Sequence, residues 1–587
     1  MKVYPTENEI DTACDLLLNK YCVSTNLLNR IYGNDSRDQA EDIFKGLNKK
    51  RFEKEDICRL VVYKYGSNLF GGSDDDIKEL RKKLLTQLDD SIIKRLFEKH
   101  NRKDNHIRSV AHMINPLVNM KWHSNGNWPR DFIEALGFPG IFAGVDVRNQ
   151  EKLQTIEVAK PQNTVPQLKD FQKGLKDKML DVLRKEENKT RCMITLPTGG
   201  GKTRVAVEAF IEWMMPRFSE GNFLIWVAQS SELCEQAVAC IKSIWEKKDY
   251  PESLKIYRYF EGREIPENDS LIGGVIVANI HQLHNRIKRS DSRFFEILKK
   301  TGAMIIDEAH RAVSWMYDNL FEKAEELCGR DLFPVCGLSA TPGRTGINKE
   351  NEIPKLVDRF MCNLVKPDLG KEYENNPLKY FRDNKYLAKA NHIIFDSKLE
   401  YLLTEKELAS IDPNTNDKIP GLFLKRLAKN NERNLKIVNR LAKIPKQTPT
   451  LVYTCTVEHA ELLCSIMNFI GRPSGFIDSN TPITLRRKLI EFFKNDKLDF
   501  LFNFGVLTTG FDAPKTRCIV ILRPTTSEVL YEQIIGRGLR GPEFQGTEEC
   551  DIIDFTDNIK RLGAQMAYTR FSEYWPDFWE SEKEEST

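Results

Sequence analysis

Three consecutive glycines followed by a lysine and a threonine could bind the phosphates of a nucleotide. After an apolar run, the chain continues with Leu196, Pro197, Thr198, Gly199, Gly200, Gly201, Lys202 and Thr203. Glycines let a backbone wrap around phosphate oxygens and direct its N–H groups at them, the lysine reaches the β- and γ-phosphates, and the threonine hydroxyl binds Mg²⁺. The helical pattern at 205–210 adds a helix N-terminus, which favours an anion. The spacing predicts a phosphate-binding loop, although Leu196 stands where the general pattern has its first glycine.

Two neighbouring carboxylates end another apolar run further along the chain. Asp307 and Glu308 follow the run 303–306. A carboxylate at the C-terminal edge of a strand can hold Mg²⁺ from the side opposite Thr203, and a second one can orient and deprotonate the attacking water. Such a pair alone is common in solvated turns. Because a phosphate loop precedes it, we assign Asp307 to the metal and Glu308 to the general base.

Alternating apolar and amphipathic segments place both motifs at the ends of strands. Short β-branched runs alternate with longer helical patterns between residues 161 and 345, and again between 447 and 557. This alternation is typical of βαβ units around parallel sheets. The predicted strands of the first sheet are 192–196, 223–227, 275–277, 304–306 and 335–338, and those of the second are 451–454, 500–504, 518–522 and 550–554.

The predicted fold class is α/β, with two parallel-sheet domains in tandem after a mainly α-helical N-terminal accessory domain. The expected boundaries are 1–160 for the accessory domain, 161–365 for the first sheet domain, 366–446 for a partly helical linker or insertion, 447–570 for the second sheet domain and 571–587 for an acidic tail. In the accessory domain, the segments 13–21, 24–32 and 39–47 predict three helices. They form either a plain bundle or a helix-turn-helix shape that would bind DNA.

Net charge and composition bear on three further questions: binding to nucleic acid, insertion into a membrane and secretion. The 587 residues contain 88 Lys and Arg against 85 Asp and Glu, so any affinity for phosphates must come from local clusters. One candidate is 81–108, with nine basic and four acidic residues, which either follows a nucleic-acid backbone or forms a solvated helix face. No apolar run is long enough to span a membrane, and the first eleven residues lack the apolar stretch of a secretory signal.

The cysteines and the remaining acidic residues argue against a second chemistry. Thirteen cysteines include no Cys-x-x-Cys pair, which indicates reduced thiols and a cytoplasmic location. No Cys and His residues have the spacing of a zinc site. Glu157 and Lys160 have the wrong spacing for a nuclease signature, so any cleavage would need a partner protein.

Together with the two motifs above, four further stretches resemble the superfamily 2 helicases and translocases of the DEAH-box type. They are LKDFQ at 168–172, SAT at 339–341, LTTGFD at 507–512 and QIIGRGLR at 533–540, and they stand in the order of that family. The resemblance covers residues 167–557. It implies two RecA-like domains that hold ATP and Mg²⁺ in the cleft between them.

The resemblance also assigns roles to individual residues. It places Phe171 and Gln172 at the adenine base, and His310, Ser339 and Thr341 in the coupling of ATP state to domain movement. The other positions that it implies are Gly510 and Asp512 for the nucleotide, Gln533, Arg537 and Arg540 for catalysis, and Gln229, Ser230, Asn279, Gln282, Thr454 and Thr508 for the nucleic-acid backbone. Such polar side chains fix position on phosphates, but the stretches 228–233, 278–282 and 453–456 could equally be ordinary loops with helix-capping residues.

Physical chemistry supports the role of the two arginines. Phosphoryl transfer spreads negative charge over the γ-phosphate, and a guanidinium delivered from a second domain stabilises it. Arg537 and Arg540 are three residues apart, so we expect both on one helix face that points into the cleft. Gly536 and Gly538 weaken an exposed helix and allow close approach to another domain.

The residues that make up these motifs resemble the motifs of bacterial restriction, repair and phage-defence helicases. This resemblance implies DNA as the partner, whether single-stranded, forked or duplex. The predicted function is an ATP-dependent DNA helicase or translocase. One alternative is a nucleic-acid-stimulated ATPase switch that loads or gates a partner such as a nuclease, and another is an RNA helicase. The same motor motifs serve all three, so the sequence leaves them open.

Overall fold

The computed structural model describes most of the chain. The described residues are 5–48, 51–100, 109–145, 155–158, 167–186, 189–215, 222–247, 253–264, 273–329, 334–340, 349–374, 376–411, 417–508, 513–560 and 579–585. Within these ranges, no helix combines the length and the apolar character that a membrane crossing requires.

The N-terminal region is built from helices, as the sequence predicts. Those described are α1 (Glu7–Asp15), α2 (Thr25–Tyr32), α3 (Asn34–Gly46), α4 (Lys54–Tyr65), α5 (Asp75–Leu85), α6 (Asp90–His100), α7 (Val110–Val118) and α8 (Asn127–Leu136). Their apolar faces bury Leu28, Phe70 and Phe132 completely. Arg81, in the basic segment 81–108, is only 2% exposed and donates to the carbonyl oxygen of Gly72, so it cannot follow a nucleic-acid backbone. Residues 101–108 of that segment lie outside the described residues.

The first sheet domain, which we call lobe 1, contains eight strands in the described residues. They are β1 (Thr155–Val158), β2 (Arg191–Thr195), β3 (Phe223–Ala228), β4 (Leu254–Tyr259), β5 (Gly274–Asn279), β6 (Thr301–Asp307), β7 (Val335–Ser339) and β8 (Leu364–Val365). The order is β1-β4-β5-β3-β6-β7-β2-β8, and all neighbours are parallel except β1 and β4. The helices are α9 (Asp170–Arg184), α10 (Lys202–Met214), α11 (Ser231–Lys247), α12 (Ile280–Lys288), α13 (Ser292–Lys299), α14 (Trp315–Cys328) and α15 (Lys349–Arg359).

After a connection that contains α16 (Pro377–Asp383), the second sheet domain, which we call lobe 2, forms a seven-stranded parallel sheet. Its strands are β9 (Lys389–Leu402), β10 (Thr450–Tyr453), β11 (Ser474–Ile477), β12 (Phe500–Asn503), β13 (Cys518–Ile521), β14 (Glu549–Lys560) and β15 (Trp579–Glu585), in the order β11-β12-β10-β13-β14-β9-β15. Its helices are α17 (Glu405–Leu408), α18 (Gly421–Ala428), α19 (Asn431–Lys443), α20 (Val457–Phe469), α21 (Ile483–Lys494) and α22 (Glu528–Ile535). The predicted fold class is therefore confirmed.

The second sheet extends beyond the segment in which its strands are predicted. Strand β9 lies inside 366–446, the range expected to be a linker or insertion, and β15 lies inside the acidic tail. Along β9 buried and exposed side chains alternate over much of its length, so its sequence lacks the continuous apolar run of a strand buried on both faces. Segment 366–446 therefore contributes to the sheet of lobe 2 as well as connecting the lobes.

The N-terminal helices pack on lobe 2. The hydroxyls of Tyr32 and Ser465 are 2.7 Å apart in a buried hydrogen bond, and the rings of Phe44 and Phe469 pack with centroids 4.7 Å apart. Helix α3 faces α19, where Asp42 accepts from the side-chain amide of Asn431 at 2.6 Å. Because α3 is covered in this way, it is not free to enter a DNA groove, which favours the plain bundle over the helix-turn-helix interpretation.

Candidate nucleotide site and nucleic-acid face

The predicted phosphate loop joins β2 to α10, and two of its glycines have backbone conformations that other residues rarely adopt. The φ angles of Gly199 and Gly201 are +88° and +89°. A Cβ atom on Gly201 would lie 2.5 Å from Nε2 of Gln172, so a side chain has no room there. Lys202 begins α10, and its Nζ donates to the carbonyl oxygen of Leu196 at 3.0 Å. Thr203 is the second residue of the same helix. The loop and helix N-terminus have the form that an anionic phosphate chain requires.

Both predicted carboxylates lie at the C-terminal end of β6, two strands from β2 in the sheet. Asp307 is 6% exposed, and burial, followed by the neighbouring charge of Glu308, raises the pKa of its carboxyl group to about 7. The positive charge of Lys202 opposes this shift. Burial lowers the pKa of Lys202 itself, while Glu308 and Asp307 raise it. The lysine and both carboxylates therefore share one electrostatic site.

Glu308 has the left-handed conformation, with φ 51° and ψ 48°, which is uncommon for a residue with a side chain. Its backbone N–H donates to Oδ1 of Asp307 at 3.0 Å, and its Oε2 lies 3.4 Å from Nδ1 of His310. Strain of this kind concentrates at functional sites, where the surrounding structure maintains it.

Two of the predicted coupling residues are in contact. Nδ1 of His310 lies 3.3 Å from the hydroxyl oxygen of Ser339, which ends β7. Burial lowers the pKa of His310 to about 4, so its ring is neutral at physiological pH. In the tautomer that carries its proton on Nδ1, the neutral ring can donate to the carboxylate or to the hydroxyl that Nδ1 faces. His310 thus links Glu308 to the end of the next strand.

The opposite wall of the cleft comes from lobe 2. Arg537 lowers the pKa of both Lys202 and Asp307, and Glu532 raises the pKa of Lys202, so both lobe 2 residues lie within electrostatic range of the phosphate loop. Contact is direct at Gly536, where an added Cβ atom would lie 2.4 Å from Cγ2 of Thr198. The close approach that the sequence predicts for these glycines is present at Gly536. Gly538 instead packs within lobe 2, against Cys550.

We expect Gly536→Ala to slow nucleotide turnover roughly tenfold or more, because a displacement of about 1 Å at a reacting centre is already costly. Gly536 has an ordinary helical φ of −59°, so alanine adds no left-handed backbone strain, but its Cβ atom would lie 2.4 Å from Cγ2 of Thr198 and 2.9 Å from the backbone carbonyl oxygen of Glu532. The comparison variant is Gly538→Ala, whose new methyl group would meet Cys550 inside lobe 2. That variant should lower the melting temperature more than Gly536→Ala does, whereas Gly536→Ala should lower the rate more than Gly538→Ala does. Equal rates for Gly536→Ala and wild type would contradict a functional contact at this point.

The two predicted arginines do not share a helix face. Helix α22 ends at Ile535, and the N–H groups of Arg537 and Gly538 bond three residues back, as in a tight turn. Arg540 lies further on, in an isolated antiparallel bridge with Leu387. The expectation of one helix face was therefore wrong, because the glycines end the helix before the first arginine. Gln533 is on α22 and buried, and its carbonyl oxygen accepts from Nε of Arg537 at 3.1 Å.

The predicted adenine residues lie beside the phosphate loop but are engaged by other protein groups. Nε2 of Gln172 donates to the carbonyl oxygen of Gly200 at 3.0 Å, and its Oε1 accepts from the N–H of Lys169 at 3.0 Å. Phe171 packs edge-to-face on Phe381 with ring centroids 5.1 Å apart. Gln172 therefore supports the phosphate loop. To form hydrogen bonds with an adenine base, its side-chain amide would have to break one of these two bonds.

A cavity of about 980 Å³ borders the phosphate loop at the seam between the lobes. Leu196 and Thr198 line it from lobe 1 and Ile535 and Gly536 from lobe 2, and residues of 366–387 close it. Its size is within the range of ligand pockets, and pockets often lie at domain interfaces.

Several predicted nucleic-acid residues of lobe 1 lie together on one surface. The side-chain amide of Asn279 donates to the carbonyl oxygen of Gln229 at 2.7 Å, and Oε1 of Gln229 accepts from Arg311 at 2.5 Å. Ser230 accepts from the N–H of Leu233 at the start of α11, and Asn279 caps α12. Gln282 bonds the backbone of the loop after β4, with Nε2 2.7 Å from the carbonyl oxygen of Arg263. Capping roles are thus present, and the same side chains form a polar surface.

Two predicted residues of lobe 2 differ in their placement. Thr454 is 1% exposed, and its hydroxyl donates to the carbonyl oxygens of Thr456 and Asn503, so its side chain is not available to a nucleic acid. This prediction was wrong, because the end of β10 is held inside the domain. Thr508 is half-buried in the turn after β12. Thr341, Gly510 and Asp512 lie outside the described residues.

Sequence reasoning missed a buried network that fixes α22 on the second sheet. The hydroxyl of Tyr531 donates to Oδ2 of Asp554 at 2.6 Å, and Nε2 of His392 lies 2.6 Å from the same oxygen. All three residues are at most 3% exposed. Only the position of Asp554, inside a predicted strand, signalled a buried carboxylate that needs a partner.

The donors at the site fit a magnesium ion. Mg²⁺ keeps several waters and uses one or two carboxylates together with substrate phosphates. Asp307 and Thr203 offer a buried carboxylate and a hydroxyl of this kind, and a cation beside Asp307 would favour its ionised form. Within the part of the chain that the structure describes, no group of three or more His, Cys, Asp or Glu residues is placed to hold a metal without a substrate.

Family comparisons match the two lobes separately. Residues 162–344 match the model described as the res subunit of type III restriction enzymes, and 433–541 match the helicase conserved C-terminal domain. The chain therefore carries a domain of each of these two families, one in each lobe. The yeast Saccharomyces cerevisiae protein named "Putative ATP-dependent helicase IRC3" is 27% identical to this chain over 417 residues, which are 69% of this chain and 53% of the relative.

The chain spans about half the length of the first curated relatives that it matches, from 53% to 57%. Among solved structures, "DEAD-box helicase Mss116 bound to ssRNA and UDP-BeF" is 17% identical, with a TM-score of 0.48, and the match covers 72% of this chain and 76% of that one.

Proposed function

We propose that the protein is an ATP-dependent DNA helicase or translocase, with a superfamily 2 motor of the DEAH-box type and a cytoplasmic location. One observation carries this proposal: Gly536 of lobe 2 meets Thr198 of the phosphate loop so closely that an added Cβ atom would lie 2.4 Å from Cγ2 of Thr198, and the next residue, Arg537, lowers the pKa of Lys202 and Asp307. A nucleotide bound at the phosphate loop would then contact both lobes. Its binding and hydrolysis would change how the lobes are held together.

Each residue of the cleft has a distinct part in the proposed cycle. The loop and Lys202 bind the phosphates, and Glu308 accepts the proton of the attacking water while His310 holds its carboxylate. Arg537 stabilises the charge that develops on the γ-phosphate. Bound magnesium would neutralise the phosphate oxygens, with Asp307 and Thr203 as its protein donors. Loss of the γ-phosphate removes the group that Lys202 and Arg537 share, so the lobes can separate.

Two features support DNA as the substrate and a role in repair or phage defence. They are the residue sequences of the motifs and the match of lobe 1 to a restriction-enzyme family model. The free state of all thirteen cysteines supports a reducing compartment. The test is a panel of ATPase and strand-displacement measurements with single-stranded, forked and duplex DNA and with RNA. A DNA motor predicts stimulation by DNA and displacement of a strand or a triplex-forming oligonucleotide.

Two alternatives have distinct outcomes in the same panel. A nucleic-acid-stimulated switch, which would gate a partner such as a nuclease, predicts stimulated ATPase without displacement on any substrate. An RNA helicase predicts stronger stimulation by RNA than by DNA. An ATPase that no nucleic acid stimulates would contradict all three.

A further inference from the structure

Four arginines meet where α11 of lobe 1 faces α21 of lobe 2. Arg258, at the end of β4, and Arg263, in the loop that follows, belong to lobe 1. Arg486 and Arg487 are neighbours on α21 of lobe 2. No predicted motif includes these residues, and we call them the seam arginines.

A single carboxylate is shared by three of the seam arginines. Oε1 of Glu235 lies 2.8 Å from Nη2 of Arg487 and 3.6 Å from Nη1 of Arg263, and Oε2 accepts from Nε of Arg258 at 3.2 Å. The pair of Glu235 and Arg487 therefore joins lobe 1 to lobe 2. One turn earlier on the same helix, Glu232 makes a second interlobe ion pair with Arg486.

The seam contains more positive than negative charge. In the ion pairs between described residues, four guanidinium groups meet three carboxylates, because Glu261 also pairs with Arg263, at 3.0 Å. Arg486 is 8% exposed, and its Nε has no hydrogen-bond partner among the described residues. Burial lowers the pKa of Arg258; Glu235 opposes this shift, and the positive charges of Arg263 and Arg487 add to it. This excess of positive charge would favour the binding of a further anion between the seam arginines.

The seam arginines lie on the surface that carries the predicted nucleic-acid residues of lobe 1. Gln282 accepts from the N–H of Gly262 at 3.0 Å and donates to the carbonyl oxygen of Arg263 at 2.7 Å, so it is bound to the loop of one seam arginine. Ser230 caps the helix from which Glu235 projects. A backbone that follows Ser230 and Gln282 would therefore pass beside the seam.

We propose that the seam arginines bind a backbone phosphate of the nucleic acid across both lobes, and that Glu235 occupies this site until the phosphate displaces it. The inference rests on the proposed function, since it names a contact for that nucleic acid. A guanidinium binds a phosphate through paired hydrogen bonds, and a phosphate offers more acceptor oxygens than the carboxylate that three arginines now share. The exchange would replace an ion pair within the protein by a bridge through the strand.

The test compares three variants of the full chain with the wild type in binding a fluorescein-labelled single-stranded DNA over a range of salt concentrations. Arg487→Ala should weaken binding several-fold and reduce the slope of log K against log salt by about 0.7, the value for one phosphate contact on a single strand. Glu235→Gln, which keeps the shape but removes the competing charge, should tighten binding several-fold at low salt. Lys494→Ala, an exposed position at the end of the same helix α21, is the matched control and should change affinity least.

Opposite effects of the two seam variants would support the exchange. If Glu235→Gln binds as the wild type does or more weakly, and Arg487→Ala keeps the wild-type slope, the seam is only an ion-pair contact between lobes and the inference fails. A wild-type chain that binds neither DNA nor RNA would instead overturn the proposed function. The melting temperature of each variant separates a loss of binding from a loss of folding.

Discussion

Replacing Glu308 by glutamine is expected to reduce nucleic-acid-stimulated ATP hydrolysis by about 10²- to 10⁴-fold, the usual contribution of a general base. Glutamine has nearly the same shape and keeps the backbone N–H that bonds Asp307 at 3.0 Å. It cannot accept the proton of the attacking water, and it also removes the carboxylate that His310 approaches at 3.4 Å. The chemical step should therefore be lost while the phosphate loop stays intact.

The measurement pairs the rate of phosphate release with the affinity for a fluorescent ATP analogue. Glu308→Gln should bind the analogue with wild-type affinity, whereas Lys202→Ala should lose both binding and turnover, because Lys202 is the cation of the phosphate loop. Glu326→Gln on α14 is the matched control, since Glu326 is an exposed carboxylate of lobe 1 that pairs only with Lys323 among the described contacts. A rate for Glu308→Gln within threefold of the wild type would remove the base assignment.

The nine predicted strands are all present, because parallel strands that are buried on both faces must be almost continuously apolar. The other six described strands were missed for the opposite reason. Strands β1, β8, β11 and β15 lie at the edges of their sheets, and β4 and β9 mix buried side chains with half-exposed or exposed ones. The sequence of a charged strand such as β9 resembles that of a linker, and only its pairing with β14 in the structure identifies it as a strand.

The candidate site was predictable wherever a role depends on residues adjacent in the chain. The phosphate loop and the two carboxylates follow strands, and strand ends of one sheet share an edge, so Lys202 and Asp307 were expected to meet. The end of α22 depends instead on which backbone groups the turn at Gly536 can satisfy, and spacing alone does not give this. The seam pair of Glu235 and Arg487 arises only when two domains meet.

We expect Arg537→Ala to lower the maximal rate of ATP hydrolysis roughly 10³-fold, within the range known for an arginine delivered to a transferring phosphoryl group. Arg537 is the lobe 2 cation whose charge acts on both Lys202 and Asp307, so its removal takes positive charge from the place where the γ-phosphate would lie. Because that charge is needed most in the transition state, the Michaelis constant should change little. Arg537→Lys should recover only part of the rate, since lysine keeps the positive charge but lacks the planar guanidinium group that forms paired hydrogen bonds with a phosphate. Arg517→Ala, an exposed arginine of lobe 2, is the control, and a wild-type rate for Arg537→Ala would show that catalysis is complete within lobe 1.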